Sequence, residues 1–145
     1  MEKIEIVYCA TPSRMRDKVE EILDFVQGKG LYPFHVFLAF PHQRFEDNPA
    51  VGREKAMKIC LRTIDFCDRF WLFGISEGTT LIELEYVLVN NLYLPGNCRK
   101  PIEFYFQLFD PRWEEMLKEL EEEYHPRQPV HVIKYIREKL REESR

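Results

Sequence analysis

The sequence lacks a long apolar run. No stretch approaches the ~18 consecutive apolar residues that read as a membrane-spanning helix, so no membrane partner is expected. The N-terminal MEKIEIVYCA enters a strand-like run directly, without the apolar region and small-residue cleavage site of a secretory leader. Cysteines are few and their pattern is unpaired. Cys9, Cys60, Cys67 and Cys98 form no CxxC pair, and the closest two lie seven residues apart on one expected helix. Zinc-ligand spacing is therefore absent, and free thiols in a reducing cytoplasm are the expectation. Basic charge is not in excess either. The 21 Lys and Arg against 25 Asp and Glu leave a net charge of −4, which gives no electrostatic reason to expect nucleic acid as a partner. Internal repeats and low-complexity tracts are missing as well.

What is present suits a packed core. The 145 residues, 45% hydrophobic and 14% aromatic, fit one α/β domain over 1–145. Ile4 to Cys9 reads as a buried strand, followed by the turn-rich ATPSR. Ser13 can cap a helix to about Gln27, with Met15, Val19, Ile22 and Val26 on one face and Gly28 and Gly30 as its stop. Pro33 to Phe40 is the second expected strand, and PHQRFEDN a polar loop. Pro49 suits the first turn of a helix running through Met57, Leu61 and Ile64 to about Phe66. Arg69 to Phe73 (RFWLF) is apolar at nearly every position, as a central parallel strand is. A helix from about Thr80 to Leu92 follows the GISEGTT loop, with Leu81, Leu84, Leu88 and Asn91 or Leu92 inward, and Ile102 to Leu108 is the fourth strand. Asp110-Pro111 starts a helix with a capping carboxylate and a proline at its first position. Val130 to Val132 reads as a short fifth strand before a last helix from about Ile133 to Glu143.

This alternation predicts a doubly wound, Rossmann-like or flavodoxin-like sheet, mainly parallel, of four to five strands ordered 2-1-3-4, with helices on both faces. Ligands of such sheets bind outside the carboxyl ends of the strands, where strand order reverses.

GISEGTTLIELEY is the most informative segment. Gly74 and Gly78 permit tight backbone, Ser76, Thr79 and Thr80 offer hydroxyls, and a helix N-terminus suits an anion. Glu83 in the first turn has two readings. It is the partner in a Thr80-to-Glu83 capping box, or its carboxylate faces a ligand held by the loop. Ser13, Arg14 and Arg16 open the earlier helix, where Arg pairs with phosphate or stands as a solvated charge. His42 lines a base pocket or is a loop histidine in water. Cys9 ends the first strand and reads as an inert buried thiol.

A strand with Asp68, Trp71 and Phe73, then Gly74, Ser76, Gly78 and Thr79, then Glu83 and Leu84, resembles the third βα unit of the nucleoside 2-deoxyribosyltransferase-like superfamily. That superfamily includes nucleoside monophosphate N-glycosidases. The likeness covers roughly residues 4 to 92. It implies a nucleoside or nucleotide ligand and no metal or cofactor. Glu83 would be the carboxylate that meets the anomeric carbon, and Ser13, Arg14, His42, Ser76, Gly78, Thr79 and Thr80 would contact substrate. Relatives often complete their sites across subunits, so a homo-oligomer is compatible with the likeness, while the sequence does not fix the oligomeric state. Gly78 to Glu83 is one residue longer than the family's Gly-Thr-x-x-Glu, and Cys60 stands where the family carries an Asp. The alternative implied by Cys60 is a non-catalytic nucleotide-sensing or interaction domain on the same scaffold.

Overall fold

The computed structural model of the protein describes residues 3–36, 49–76, 79–122 and 130–143, with the side chains of 49–54 and 130 excepted. Four strands form one sheet: β1 (Ile6–Ala10), β2 (Tyr32–Phe34), β3 (Arg69–Leu72) and β4 (Ile102–Phe104). Their order is β2-β1-β3-β4, and every pairing is parallel. Among the described residues the helices are α1 (Val19–Gly28), α2 (Pro49–Phe66), α3 (Thr80–Tyr93), the short α4 (Phe106–Phe109), α5 (Trp113–Glu122) and α6 (Val130–Glu143), with 3-10 turns at Ser13–Lys18 and Gly96–Cys98. This is the doubly wound, Rossmann-like architecture that the strand–helix alternation predicts.

Strand side chains alternate between faces, so one short strand feeds two cores. Val7 and Cys9 of β1, with Trp71 and Phe73, pack against Ile22, Val26 and Phe25 of α1. Tyr8 and Ala10, with Phe70 and Leu72, pack on the opposite face against residues of α2, α3, α5 and α6. Burial on both faces is why RFWLF carries no polar residue after its arginine. The strand order reverses between β1 and β3, so their carboxyl ends mark the crevice. The loops leaving those ends are pressed together. Phe73 N–H donates to the Ala10 carbonyl at 2.9 Å. A Cβ on Gly74 would lie 2.5 Å from both Met15 Sδ and Pro12 Cδ.

Several boundaries differ from the sequence expectation. Val130 to Val132 is not a fifth strand but the first turn of α6, and Val132 is wholly buried among helices. A three-residue β-rich tripeptide carries too little pattern to separate strand from helix. The fourth strand stops at Phe104: Tyr105 N–H makes the last bond to the Leu72 carbonyl, and Phe106 turns into α4. The second strand ends at Phe34, and residues 37–40 of the expected strand lie outside the described residues. Ser13 does not cap an α-helix. Pro12 takes the cap position, its carbonyl accepts the Met15 N–H at 3.0 Å, and a 3-10 turn precedes α1. In α3 Leu81 and Leu84 are buried as expected, joined by Thr80, Glu83 and Val87, while Leu92 is exposed.

Candidate functional site

Strand alternation aims Tyr8 at the α2–α3 side of the sheet. Its ring stacks between Phe34, at 6.4 Å, and Phe70, at 5.8 Å. Two flanking rings on neighbouring strands leave its hydroxyl one direction, toward the helices. Glu83 lies on the inner stripe of α3 between Thr80 and Val87 and is 3% exposed. The Tyr8 hydroxyl donates to Glu83 Oε2. Cys60, from the middle of α2, packs against the same core on this face and feels the Glu83 charge.

The electrostatics follow from burial. Desolvation raises the Glu83 carboxyl to about 7, against the opposing pull of the Tyr8 hydrogen bond. Burial first, and the Glu83 charge second, hold the Tyr8 phenol well above its ordinary range. The same two influences push the Cys60 thiol up to about 11. The cluster is therefore one carboxyl whose burial favours its protonated form, beside a phenol that keeps its proton at neutral pH. A group poised near pH 7 is suited to exchange a proton or to present negative charge to a cationic centre.

The capping-box reading of Glu83 is overturned. Thr80 is the first helical residue rather than the cap. The Glu83 amide donates to the Thr79 carbonyl at 3.0 Å, and its carboxylate faces Tyr8. Ser76 does the work at this end of the helix. Its Oγ accepts the Thr80 N–H at 3.2 Å and lies 2.7 Å from Thr79 Oγ1. Thr80 Oγ1 in turn accepts the Ser76 N–H at 2.9 Å. Ser76, Thr79 and Thr80 are thus brought together as expected, but bonded to one another.

Arg14 faces Asp110. Its Nη1 and Nη2 each lie 2.7 Å from a carboxylate oxygen, and Nη2 also donates to the Ile75 carbonyl at 2.7 Å. Asp110 further accepts the Ile75 N–H and the Arg112 N–H, both at 3.0 Å. Burial alone would raise this carboxyl; the Arg14 fork and the two amides outweigh it and hold it below its ordinary value. The capping role read from Asp110-Pro111 is therefore only part of what Asp110 does.

A fourth group lies past the ends of β1 and β2. His35 is 4% exposed, and its Nε2 sits 3.0 Å from Thr11 Oγ1. The Thr11 hydroxyl also donates to the Cys9 carbonyl at 3.2 Å. Burial, aided by the positive charge of Arg16, lowers the His35 pKa to about 4, and the ring is neutral at pH 7.

Of the residues named from the sequence, Glu83 is buried one turn into α3 against Tyr8 in the middle of β1, while Ser76, Thr79, Thr80 and Arg14 stand on the loops that leave the carboxyl end of the sheet. Ser13 is there too, exposed on the 3-10 turn. His42 and Gly78 lie outside the described residues. Sequence reasoning missed Tyr8, His35 and the second role of Asp110. A tyrosine in the run IVYCA was a usable signal, because a buried phenol needs a partner. Nothing in the sequence couples Arg14 to Asp110. Among the described residues, no group of three or more His, Cys, Asp or Glu could hold a metal ion, and no helix is long and apolar enough to cross a membrane. A comparison with protein families, with characterised proteins and with solved structures finds no match for this chain.

Proposed function

We propose that this chain handles a nucleoside or nucleotide in the crevice at the carboxyl ends of β1 and β3, and that Glu83 acts at its N-glycosidic bond. The observation that carries the reading is the Glu83 carboxyl itself. It is buried in the first turn of α3 against β1, one of the two strands that flank the switch point, is held by the Tyr8 phenol, and has its pKa raised to about 7. A structural carboxylate would meet a cation there, as Asp110 meets Arg14; Glu83 meets the Tyr8 phenol. The motif likeness of residues 68 to 84 to deoxyribosyltransferase-like proteins supplies the substrate class.

In this reading the ionised Glu83 oxygen meets the anomeric carbon as the carbon–nitrogen bond breaks. The bonding pair leaves with the base, which takes a proton from water. The positive charge on the sugar is met by the carboxylate as an ester bond or an ion pair, and water or a second base then displaces Glu83. Tyr8 orients the carboxylate and favours its charged form against the cost of burial.

Cys60 favours a second reading. A deoxyribosyltransferase-like site has an acid where this chain has a thiol held protonated, so a nucleotide-sensing domain without turnover fits the same crevice. One experiment separates the two. The protein and Glu83→Gln are incubated with a panel of nucleosides and their monophosphates, base release is measured by chromatography, and binding by thermal shift. Release by the parent and its loss in Glu83→Gln support the enzyme. A ligand-induced shift without release supports the sensor, and neither signal on any member of the panel removes the nucleoside reading.

A further inference from the structure

We propose that Asp110 is a built-in anion occupying the position a substrate phosphate would take, and that the chain therefore selects nucleosides over nucleoside monophosphates. The substrate half of this statement rests on the nucleoside reading above; the anion half does not.

The donors around Asp110 are those of an anion site. A guanidinium fork delivers two hydrogen bonds at 2.7 Å, and two backbone amides from separate loops, Ile75 and Arg112, deliver two more at 3.0 Å. Converging Arg and main-chain N–H groups are how proteins hold phosphate and carboxylate alike. Three chain segments meet at this point: the turn after β1, the loop after β3, and the segment leading into α5. In doubly wound sheets the first two of these loops are where ligand groups sit. Here the anion they hold comes from the chain. Asp110 is 1% exposed, and its side chain is wholly buried while 26% of the Arg14 side chain reaches solvent. A phosphate entering on Arg14 would have to expel a buried carboxylate from four donors or lie against it, and like charges at that distance repel.

In the other loop that could hold phosphate, three amides are also satisfied from within. The Ser76 N–H goes to Thr80 Oγ1, the Thr80 N–H to Ser76 Oγ and the Leu81 N–H to the Ser76 carbonyl. These amides are thus turned onto the loop's own oxygens. A neutral sugar hydroxyl can share such a hydroxyl network by exchanging one partner. A phosphate dianion needs several free donors at once.

The test removes the internal anion and supplies an external one. Asp110→Ala should gain a saturable thermal shift with inorganic phosphate, at ionic strength matched with chloride, while the parent protein shows only the general salt response. Asp110→Asn, which keeps the shape and loses the charge, should not gain it. If Asp110→Ala unfolds without added anion, its refolding on phosphate and not on chloride is the same result. Refolding on neither, or a folded Asp110→Ala that responds to phosphate no more than the parent, overturns the built-in anion. In the substrate arm, the parent should favour deoxynucleosides over their monophosphates by roughly tenfold or more in binding or base release, and Asp110→Ala should narrow that ratio. A parent that prefers monophosphates overturns the selectivity claim. A parent that engages neither class removes the nucleoside reading, and the phosphate titration then still decides what Asp110 does.

Discussion

The Tyr8 hydroxyl reaches across 75 residues of sequence to donate to Glu83, joining the first strand of the sheet to the inner face of α3. The bond runs from a phenol that cannot ionise at physiological pH to a carboxyl that can. It therefore biases the carboxyl toward its charged form, against the burial that opposes it.

The first prediction concerns turnover. Glu83→Gln keeps the shape and loses the charge, so the loss should fall on kcat more than on KM, by about 10²-fold or more. Tyr8→Phe should be milder and diagnostic. Without the phenol the Glu83 carboxyl rises above about 7, so the ascending limb of the kcat/KM profile should move to higher pH. A profile that stays in place in Tyr8→Phe would mean that the limb does not report Glu83.

Two buried groups should also leave opposite marks on stability. The folded pKa of Glu83, about 7, lies above its ordinary 4.5, so the folded state binds the extra proton and stability falls as pH rises through that window. The folded pKa of His35, about 4, lies below its ordinary 6.5, so the unfolded state binds the extra proton and stability rises with pH between those values. Each shift corresponds to about 3 kcal/mol at full extent. Where the windows overlap, from 4.5 to 6.5, the two contributions oppose. Urea unfolding at a series of pH values should expose each alone. Glu83→Gln should gain stability with rising pH across the overlap relative to the parent, and His35→Asn should lose it. Parallel pH profiles for parent and both variants would refute the assignment.

The sequence carried the sheet well and the site partly, for physical reasons that can be named. RFWLF announced a central strand because burial on both faces forbids alternation, and β3 is central. IEFYFQL looked the same but turns at Tyr105, because an apolar run has no period to say where a strand gives way to a helix. Glu83 stood out through its place beside a glycine and hydroxyl loop. Its orientation did not, since Leu81 and Leu84 bracket it and either face of the helix could have been the inner one. Arg14 and Asp110 are 96 residues apart, and only the folded crevice brings them together.

Thiol chemistry gives a third prediction. Cys98 is exposed, whereas Cys9 and Cys67 are buried and Cys60 is partly buried beside Glu83. Burial drives the Cys60 and Cys67 thiols up to about 11 and about 12. Since the thiolate is the nucleophile, these are protected twice, by access and by protonation. Brief iodoacetamide treatment at pH 8 followed by peptide mass spectrometry should modify Cys98 first, and the other three only after unfolding in urea. Early modification of Cys60 would show that the Tyr8–Glu83 cluster is open to solvent and less desolvated than its burial implies.

The last prediction concerns how the two crevice loops are held together. Gly74 follows β3, and its φ is not in the left-handed region, so alanine is permitted by the backbone. In open surroundings Gly→Ala would stabilise by reducing the freedom of the unfolded chain. Here the added Cβ would meet Met15 Sδ at 2.5 Å, Pro12 Cδ at 2.5 Å and Pro12 Cγ at 2.7 Å. The methionine sulfur can rotate away, but the proline ring is fixed to the turn that follows β1. Gly74→Ala should therefore cost about 1–3 kcal/mol through overpacking, measured by urea unfolding. Met15→Ala should relieve one of the two obstacles and leave the other. The double variant Met15→Ala, Gly74→Ala should then be more stable than the sum of the single losses predicts, without reaching the stability of Met15→Ala alone. Because Ile75 follows Gly74 directly and both donates to Asp110 and accepts from Arg14, parting these loops should also loosen that ion pair. A neutral or stabilising Gly74→Ala would mean that the loops do not meet at this distance, and the crevice geometry built on their contact would fall with it.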